Sequence, residues 1–257
     1  MTVQLYAFTC GHLTLPMSVM LAGADGFLTV PIPAYLIIHP RGRVLFDTGL
    51  NPAVRTDRTG YLGEMAAAAA TFQFSADEEI ASRLASMNIA ADGIELVVNS
   101  HLHLDHAGGN AELPTAGVIV QRRELESERA KLGAEYISAD FNTGQELIPI
   151  DGEYDVFGDG TVACFPTYGH TAGHQSLRVK TIARQYVLCA DACYLRKSLD
   201  ELHLPGLVFD EAAALQSLHR LREMRQAGAH ILYGHDPAAW ALLPQAPAPL
   251  GGVASAR

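Results

Sequence analysis

The stretch Ser100–Asn110, reading S-H-L-H-L-D-H-A-G-G-N, constrains this chain more than any other. It sets His101, His103, Asp105 and His106 within six residues, a density of nitrogen and carboxylate donors for which a surface turn has no use. A helix would scatter these side chains around its axis, whereas an extended chain places His101 and His103 on one side through its two-residue alternation. Asp105 and His106 follow as the chain turns, and Gly108 and Gly109 allow a tight backbone path there. Neutral imidazoles with a carboxylate suit divalent metals, zinc first, with cobalt, manganese or iron as neighbours in chemistry. Four donors so close together point to two ions, with the pairs directed to opposite sides.

A buried strand, Ile94 to Asn99, delivers this motif, and the other polar clusters also fall at strand tips. Tyr168-Gly169-His170-Thr171 follows an apolar run from Gly160 to Pro166, Asp191 ends a run beginning at Tyr186, and Gly234-His235 ends one beginning at His230. That recurrence argues for a single shared site. An allocation of His101, His103 and His170 to one ion and of Asp105, His106 and His235 to the other, with Asp191 bridging through its two oxygens, fills two coordination spheres. His170 and His174 compete for one of these places.

Further strands are expected at Val3 to Phe8, in a hairpin from Ala34 to Asp47 around Pro40-Arg41-Gly42, and at Val118 to Gln121 and Gln175 to Lys180. Helices are expected from about Glu64 through the alanine run toward Phe72 and Phe74, from Ser75 or Asp77 to Met87, and from Glu211 to Gln226 with one apolar side. A charged, exposed helix is expected from Glu124 to Leu132. The segment Leu13 to Pro33 shows little periodicity and is compatible with either a pocket rim or an arm on a partner subunit, which would make a homodimer. Strands and helices interleave without a linker, giving one α/β domain over residues 1–243. The proline-rich stretch 244–257 reads as a frayed tail.

H-L-H-L-D-H-A-G-G, G-H-T-A-G-H, A-D-A-C-Y and Y-G-H-D, in that order, resemble the metallo-β-lactamase superfamily, and their blend is similar to its quorum-quenching branch, the N-acyl homoserine lactone lactonases. The resemblance runs from Val3 to Asp236 and is strongest in these four segments. It implies an αββα sandwich with a dinuclear metal site between the sheets. Tyr194, three residues after Asp191, matters most, because glyoxalase II relatives share the ligands but usually carry another residue there. Leu204 to Asp210 looks like the loop before the last long helix of lactonases. Tyr168 departs from the pattern, since many relatives have proline before the Gly-His pair. The resemblance also implies that His170 is the ligand and that His174 supports a neighbour by hydrogen bonding. Asp47 is similar to an acidic strand-end residue of the superfamily.

Implied with it is lactone ring opening by a hydroxide shared between two divalent ions. Tyr194 is expected to stabilise the oxyanion and Asp105 to pass a proton to the leaving alkoxide. Met17, Phe72, Phe74 and Leu104 are candidates for an apolar groove holding the acyl chain. The same ligands suit other chemistry, namely a thioesterase of the glyoxalase II type or a phosphodiesterase, and more distantly an iron-dependent oxidoreductase. The net charge of −10 opposes binding to nucleic acid. Four cysteines are too few for a disulfide framework. The longest apolar run, Phe27 to Ile38, is too short to span a bilayer, and with no basic, apolar leader at the N-terminus a cytoplasmic setting is expected.

Overall fold

The computed structural model describes residues 2–69, 71–127 and 135–251. Its core is two stacked sheets. The first holds seven strands, β1 (Gln4–Pro16), β2 (Phe27–His39), β3 (Gly42–Phe46), β4 (Thr71–Gln73), β5 (Leu96–Val98), β6 (Gly117–Gln121) and β7 (Leu147–Ile150), in the order β4-β1-β2-β3-β5-β6-β7. The second holds β8 (Tyr154–Asp155), β9 (Val162–Pro166), β10 (Gln175–Lys180), β11 (Gln185–Leu188) and β12 (His230–Leu232), in the order β12-β11-β10-β9-β8.

Strand alternation assigns side chains to layers. Leu5, Val44, Phe46, Val98 and Ile119 of the first sheet meet Val162, Leu177, Val179, Leu188 and Leu232 of the second in one buried cluster. Their neighbours Tyr6, Phe8, Leu45 and Val97 face outward onto Ile80 and Leu84 of the helix Ile80–Ala85. On the far side, Phe165, Val187 and Ile231 face Leu218 and Leu221 of the helix Glu211–Gln226. The layers are therefore αββα, as expected. No helix among the described residues is long and apolar enough to cross a membrane.

β1 and β2 are much longer than expected. The segment Leu13 to Pro33 is their distal half, with Leu13 opposite Val30 and Pro16 opposite Phe27, closed through the short helix Met17–Met20. Its periodicity is obscured by a register shift between Thr9 and His12 and by two prolines. Pro31 and Pro33 are tolerated because β3 pairs only residues 35–39 of β2, so the prolines fall where the strand has a partner on one side.

Three more expectations change. Phe72 lies in the edge strand β4, after the alanine helix Glu64–Ala69. The expected charged, exposed helix is a short turn, Arg122–Glu126, in which Glu124 is buried; the end of that stretch, 128–132, lies outside the described residues. Finally, the start of the proline-rich tail is docked. Ala246 N–H donates to Ala7 O at 2.9 Å and Leu250 N–H to Leu5 O at 2.7 Å, covering the stretch of β1 that β4 leaves unpaired. Pro247 and Pro249, lacking an N–H, fall between the two bonding positions. Residues 252–257 lie outside the described residues.

Because Leu250 is buried in the inter-sheet cluster, Leu250→Ala is expected to destabilise the protein by about 2–4 kcal/mol, measured by denaturant unfolding. A loss within the error of the measurement would mean that the docked segment contributes nothing.

Candidate metal centre

β3, β5 and β6 run parallel, as do β11 and β12, and their C-terminal ends point the same way. Chemistry collects there because the chain can turn freely just beyond a strand tip while the strand holds its origin fixed. Asp47 follows β3, the helix Leu104–Ala107 and its preceding turn follow β5, His170 follows β9, Asp191 follows β11 and His235 follows β12. Gly108 and Gly109 are needed for space rather than for unusual dihedrals. A Cβ on Gly108 would lie 2.4 Å from Asn51 N, and one on Gly109 2.4 Å from Thr48 O.

The seven donors singled out in the sequence come together in two groups, His101, His103, His170 and Asp191, and Asp105, His106 and His235. In the first, His170 Nε2 lies 3.2 Å from His101 Nε2 and 3.1 Å from His103 Nδ1. Asp191 Oδ2 is 3.3 Å from His170 Nε2 and 3.8 Å from His101 Nε2. Its other oxygen, Oδ1, is 3.1 Å from both His106 Nε2 and His235 Nε2. Asp105 Oδ2 completes the second group at 3.6 Å from His106 Nε2 and 3.7 Å from His235 Nε2.

Hydrogen bonds behind the rings decide where their lone pairs point. His235 Nδ1 donates to Pro31 O at 2.8 Å, on the β2 edge that β3 leaves open. His106 Nδ1 donates to Asp47 Oδ2 at 2.8 Å. Ser100 donates its backbone N–H and its hydroxyl to Asp47 at 2.7 and 2.8 Å, so the Ser100 Oγ is left to accept from His101 Nδ1 at 2.9 Å. Each of these three imidazoles therefore turns its Nε2 inward, the nitrogen that is left for metal ligation. Asp47 is held at a left-handed φ of 59° and serves as the shared acceptor of this layer.

The electrostatics agree with a ligand set. Burial pushes His170 down to about 3 and His101 well below the ordinary imidazole range. Burial alone would raise Asp191, yet His106, His235 and His170 together hold it well below the usual carboxylate range. His106 Nε2 and Asp191 Oδ1 are buried, and neither makes a hydrogen bond of acceptable geometry. Against the lowering effect of burial, Asp191 and Asp105 raise His106 well above the ordinary imidazole range and raise His235 with it, so the carboxylates draw positive charge into the space between the rings. Imidazole nitrogens converging on carboxylates, with a buried Nε2 and Oδ1 left without hydrogen bonds, fit two divalent ions.

Tyr194 packs beside this centre. Its hydroxyl lies 3.2 Å from His170 Nδ1, and burial, with the charges of Asp191 and Asp105, lifts its ionisation well above the ordinary phenol range. Met17, Phe72, Phe74 and Leu104 share an apolar cluster with Tyr194, Leu13 and Ile32. His174 belongs to neither donor group. Its ring is buried 5.1 Å from that of His101, with Nδ1 2.9 Å from Thr167 Oγ1.

Sequence reasoning missed three contributors. The Pro31 carbonyl and the Ser100 hydroxyl carry no signal of their own, because many carbonyls and serines would look alike. Glu124 was masked by its charged neighbours Arg122, Arg123 and Glu126.

Residues 29–235 match the metallo-beta-lactamase superfamily. The N-acyl homoserine lactonase AttM of Azorhizobium caulinodans is 34% identical over 235 residues, 88% of each chain. The chain belongs to the metallo-β-lactamase superfamily, in its N-acyl homoserine lactonase family. Another member, the N-acyl homoserine lactonase AiiA of Bacillus thuringiensis subsp. kurstaki, is 31% identical over 81% of this chain and 82% of its own. Among solved structures, an N-acyl homoserine lactone hydrolase with the product N-hexanoyl-L-homoserine bound at its catalytic metal center superposes with a TM-score of 0.87 at 29% identity, covering 97% of this chain and all of that one.

Asp47→Asn, which would set an amide against donors, is expected to weaken binding of the ion next to His106 about 10–100-fold. Competition of the zinc-loaded protein with a chelator reads this directly; undiminished affinity would detach Asp47 from the centre.

Proposed function

We infer that this lactonase-family chain opens the ring of N-acyl homoserine lactones, the hydrolysis that quenches quorum signalling. The observation that carries the reading is the placement of Tyr194, with its hydroxyl beside His170 and its ring in the apolar cluster. A bound lactone would meet both, its carbonyl at the hydroxyl and its acyl chain in the cluster.

We assign His101, His103 and His170 to one ion, Asp105, His106 and His235 to the other, and Asp191 to both. Zinc is the assigned metal, on the strength of imidazole nitrogens with few carboxylates. Two such ions supply polarisation of a lactone carbonyl and a water acidic enough to attack at neutral pH.

The chain's own groups do the rest. With Nε2 of His170 turned inward, its Nδ1–H can donate to the Tyr194 oxygen, and the Tyr194 hydroxyl, hydrogen-bonded to Asp191, would turn its proton to the carbonyl oxygen as negative charge builds there. Ionisation held above the ordinary range keeps that proton in place at neutral pH. Asp105 presents Oδ2 to His106 and His235, leaving Oδ1 to accept the proton of the attacking water and pass it to the alkoxide released as the ring C–O bond breaks. The Asp105 side chain is 14% exposed against 5% for Asp191, which favours Asp105 as the proton carrier. Met17, Phe72, Phe74 and Leu104 would hold the acyl chain. The four cysteines are buried free thiols, which supports a reducing, cytoplasmic setting.

A panel of acyl homoserine lactones, simple lactones, thioesters and phosphodiesters tests the reading; turnover of thioesters without turnover of acyl homoserine lactones would exclude it. Tyr194→Phe is expected to retain both ions and lose about 10- to 1000-fold in kcat/KM. Full activity in that variant would remove Tyr194 from the reaction.

A further inference from the structure

Glu124 is fully buried, and its two oxygens serve different loops. Oε1 accepts from the backbone N–H of Leu102 at 3.2 Å and from the Tyr136 hydroxyl at 2.9 Å. Leu102 separates His101 from His103, and the Tyr136 ring packs edge-on against His103 with centroids 4.7 Å apart. Oε2 accepts from the Thr171 hydroxyl at 2.7 Å and from the Gly173 N–H at 2.9 Å, both just beyond His170. The second loop is pressed close, since a Cβ on Gly173 would lie 2.3 Å from Glu124 N.

We propose that Glu124 is a positioning residue that sets the spacing between the His101–His103 loop and the His170 loop, and so governs affinity for the ion these three histidines hold, and not for the other. This rests on the assignment of these donors as metal ligands. The donor count makes the carboxylate hard to replace. A backbone N–H cannot reverse its role, and one points at each oxygen, so both oxygens must accept. An ionised carboxylate does so with lone pairs to spare, whereas an amide would turn its NH2 against one of the N–H groups. The second donor group is oriented by other means, His106 by Asp47 and His235 by the Pro31 carbonyl. Loss of the Glu124 clamp should therefore be felt on one side only.

The experiment challenges the zinc-loaded full chain with a competing chelator in two backgrounds. In His235→Ala, where the His101, His103 and His170 group remains whole, adding Glu124→Gln is expected to weaken zinc retention about 10–100-fold. In His101→Ala, where the opposite group remains, the same change is expected to leave zinc retention unaltered. Equal weakening in both backgrounds, or none in either, overturns the proposal. Should Glu124→Gln abolish the cooperative thermal transition, Thr171→Val, which removes one donor to Oε2 while keeping its shape, takes its place under the same rule. If the unmutated chain retains fewer than two zinc ions, the dinuclear assignment itself fails and this proposal with it; two ions in the unmutated chain with symmetric losses in the variants condemn the role of Glu124 alone.

Discussion

The site depends on the buried carboxylate of Asp191. An ion taken out of water costs several kcal/mol unless partners replace its hydration, and Asp191 finds them on both sides, His170 and His101 at Oδ2 and His106 and His235 at Oδ1. Its delivery is exact in a structural sense: Ala190, at a left-handed φ of 42°, turns the chain at the end of β11. Because Asp191, His170 and His235 leave the second sheet while His101 to His106 leave the first, a slip of one sheet over the other would open both donor groups together. The inter-sheet core of Leu5, Phe46, Val98, Leu177 and Leu188 thus holds the geometry of the donor groups as well as the fold.

Around this centre, proton direction is set from outside inward. Asp47 and the Pro31 carbonyl accept, so the imidazoles of His106 and His235 donate away from the centre through Nδ1 and turn Nε2 toward it. Ser100 extends the same logic to His101. The outward face of His170 carries the arrangement one step further, with Nδ1 3.2 Å from the Tyr194 hydroxyl. The two donor groups and the Tyr194 hydroxyl are in this way parts of one hydrogen-bonded arrangement.

Much of the centre was legible in the chain itself. His101, His103, Asp105, His106, His170, Asp191 and His235 each follow an apolar run, and polar groups ending such runs are held together wherever the strands share a sheet. Interleaved strands and helices pointed to α/β layers, and the family resemblance of the four metal segments implied their αββα order. Other parts were hidden for physical reasons. Glu124 sits between charged residues and looks solvated, although its carboxylate is enclosed by four donors from three loops. The long β1–β2 arm was obscured because a register shift and two prolines interrupt its alternation. The proline-rich segment 244–251 looked frayed because nothing local announces the unpaired edge of β1 to which Ala246 and Leu250 bond.

The sequence by itself determined the chemistry: which donors exist, that they end strands, and that a tyrosine follows the shared aspartate by three residues. Those facts are local, carried by residue type and spacing. Only the tertiary structure decided the orienting layer, because Asp47, Pro31, Ser100 and Glu124 act through groups brought together from distant parts of the chain. A carboxylate or a carbonyl acquires its role from the donors that folding places against it, and those donors lie tens to hundreds of positions away.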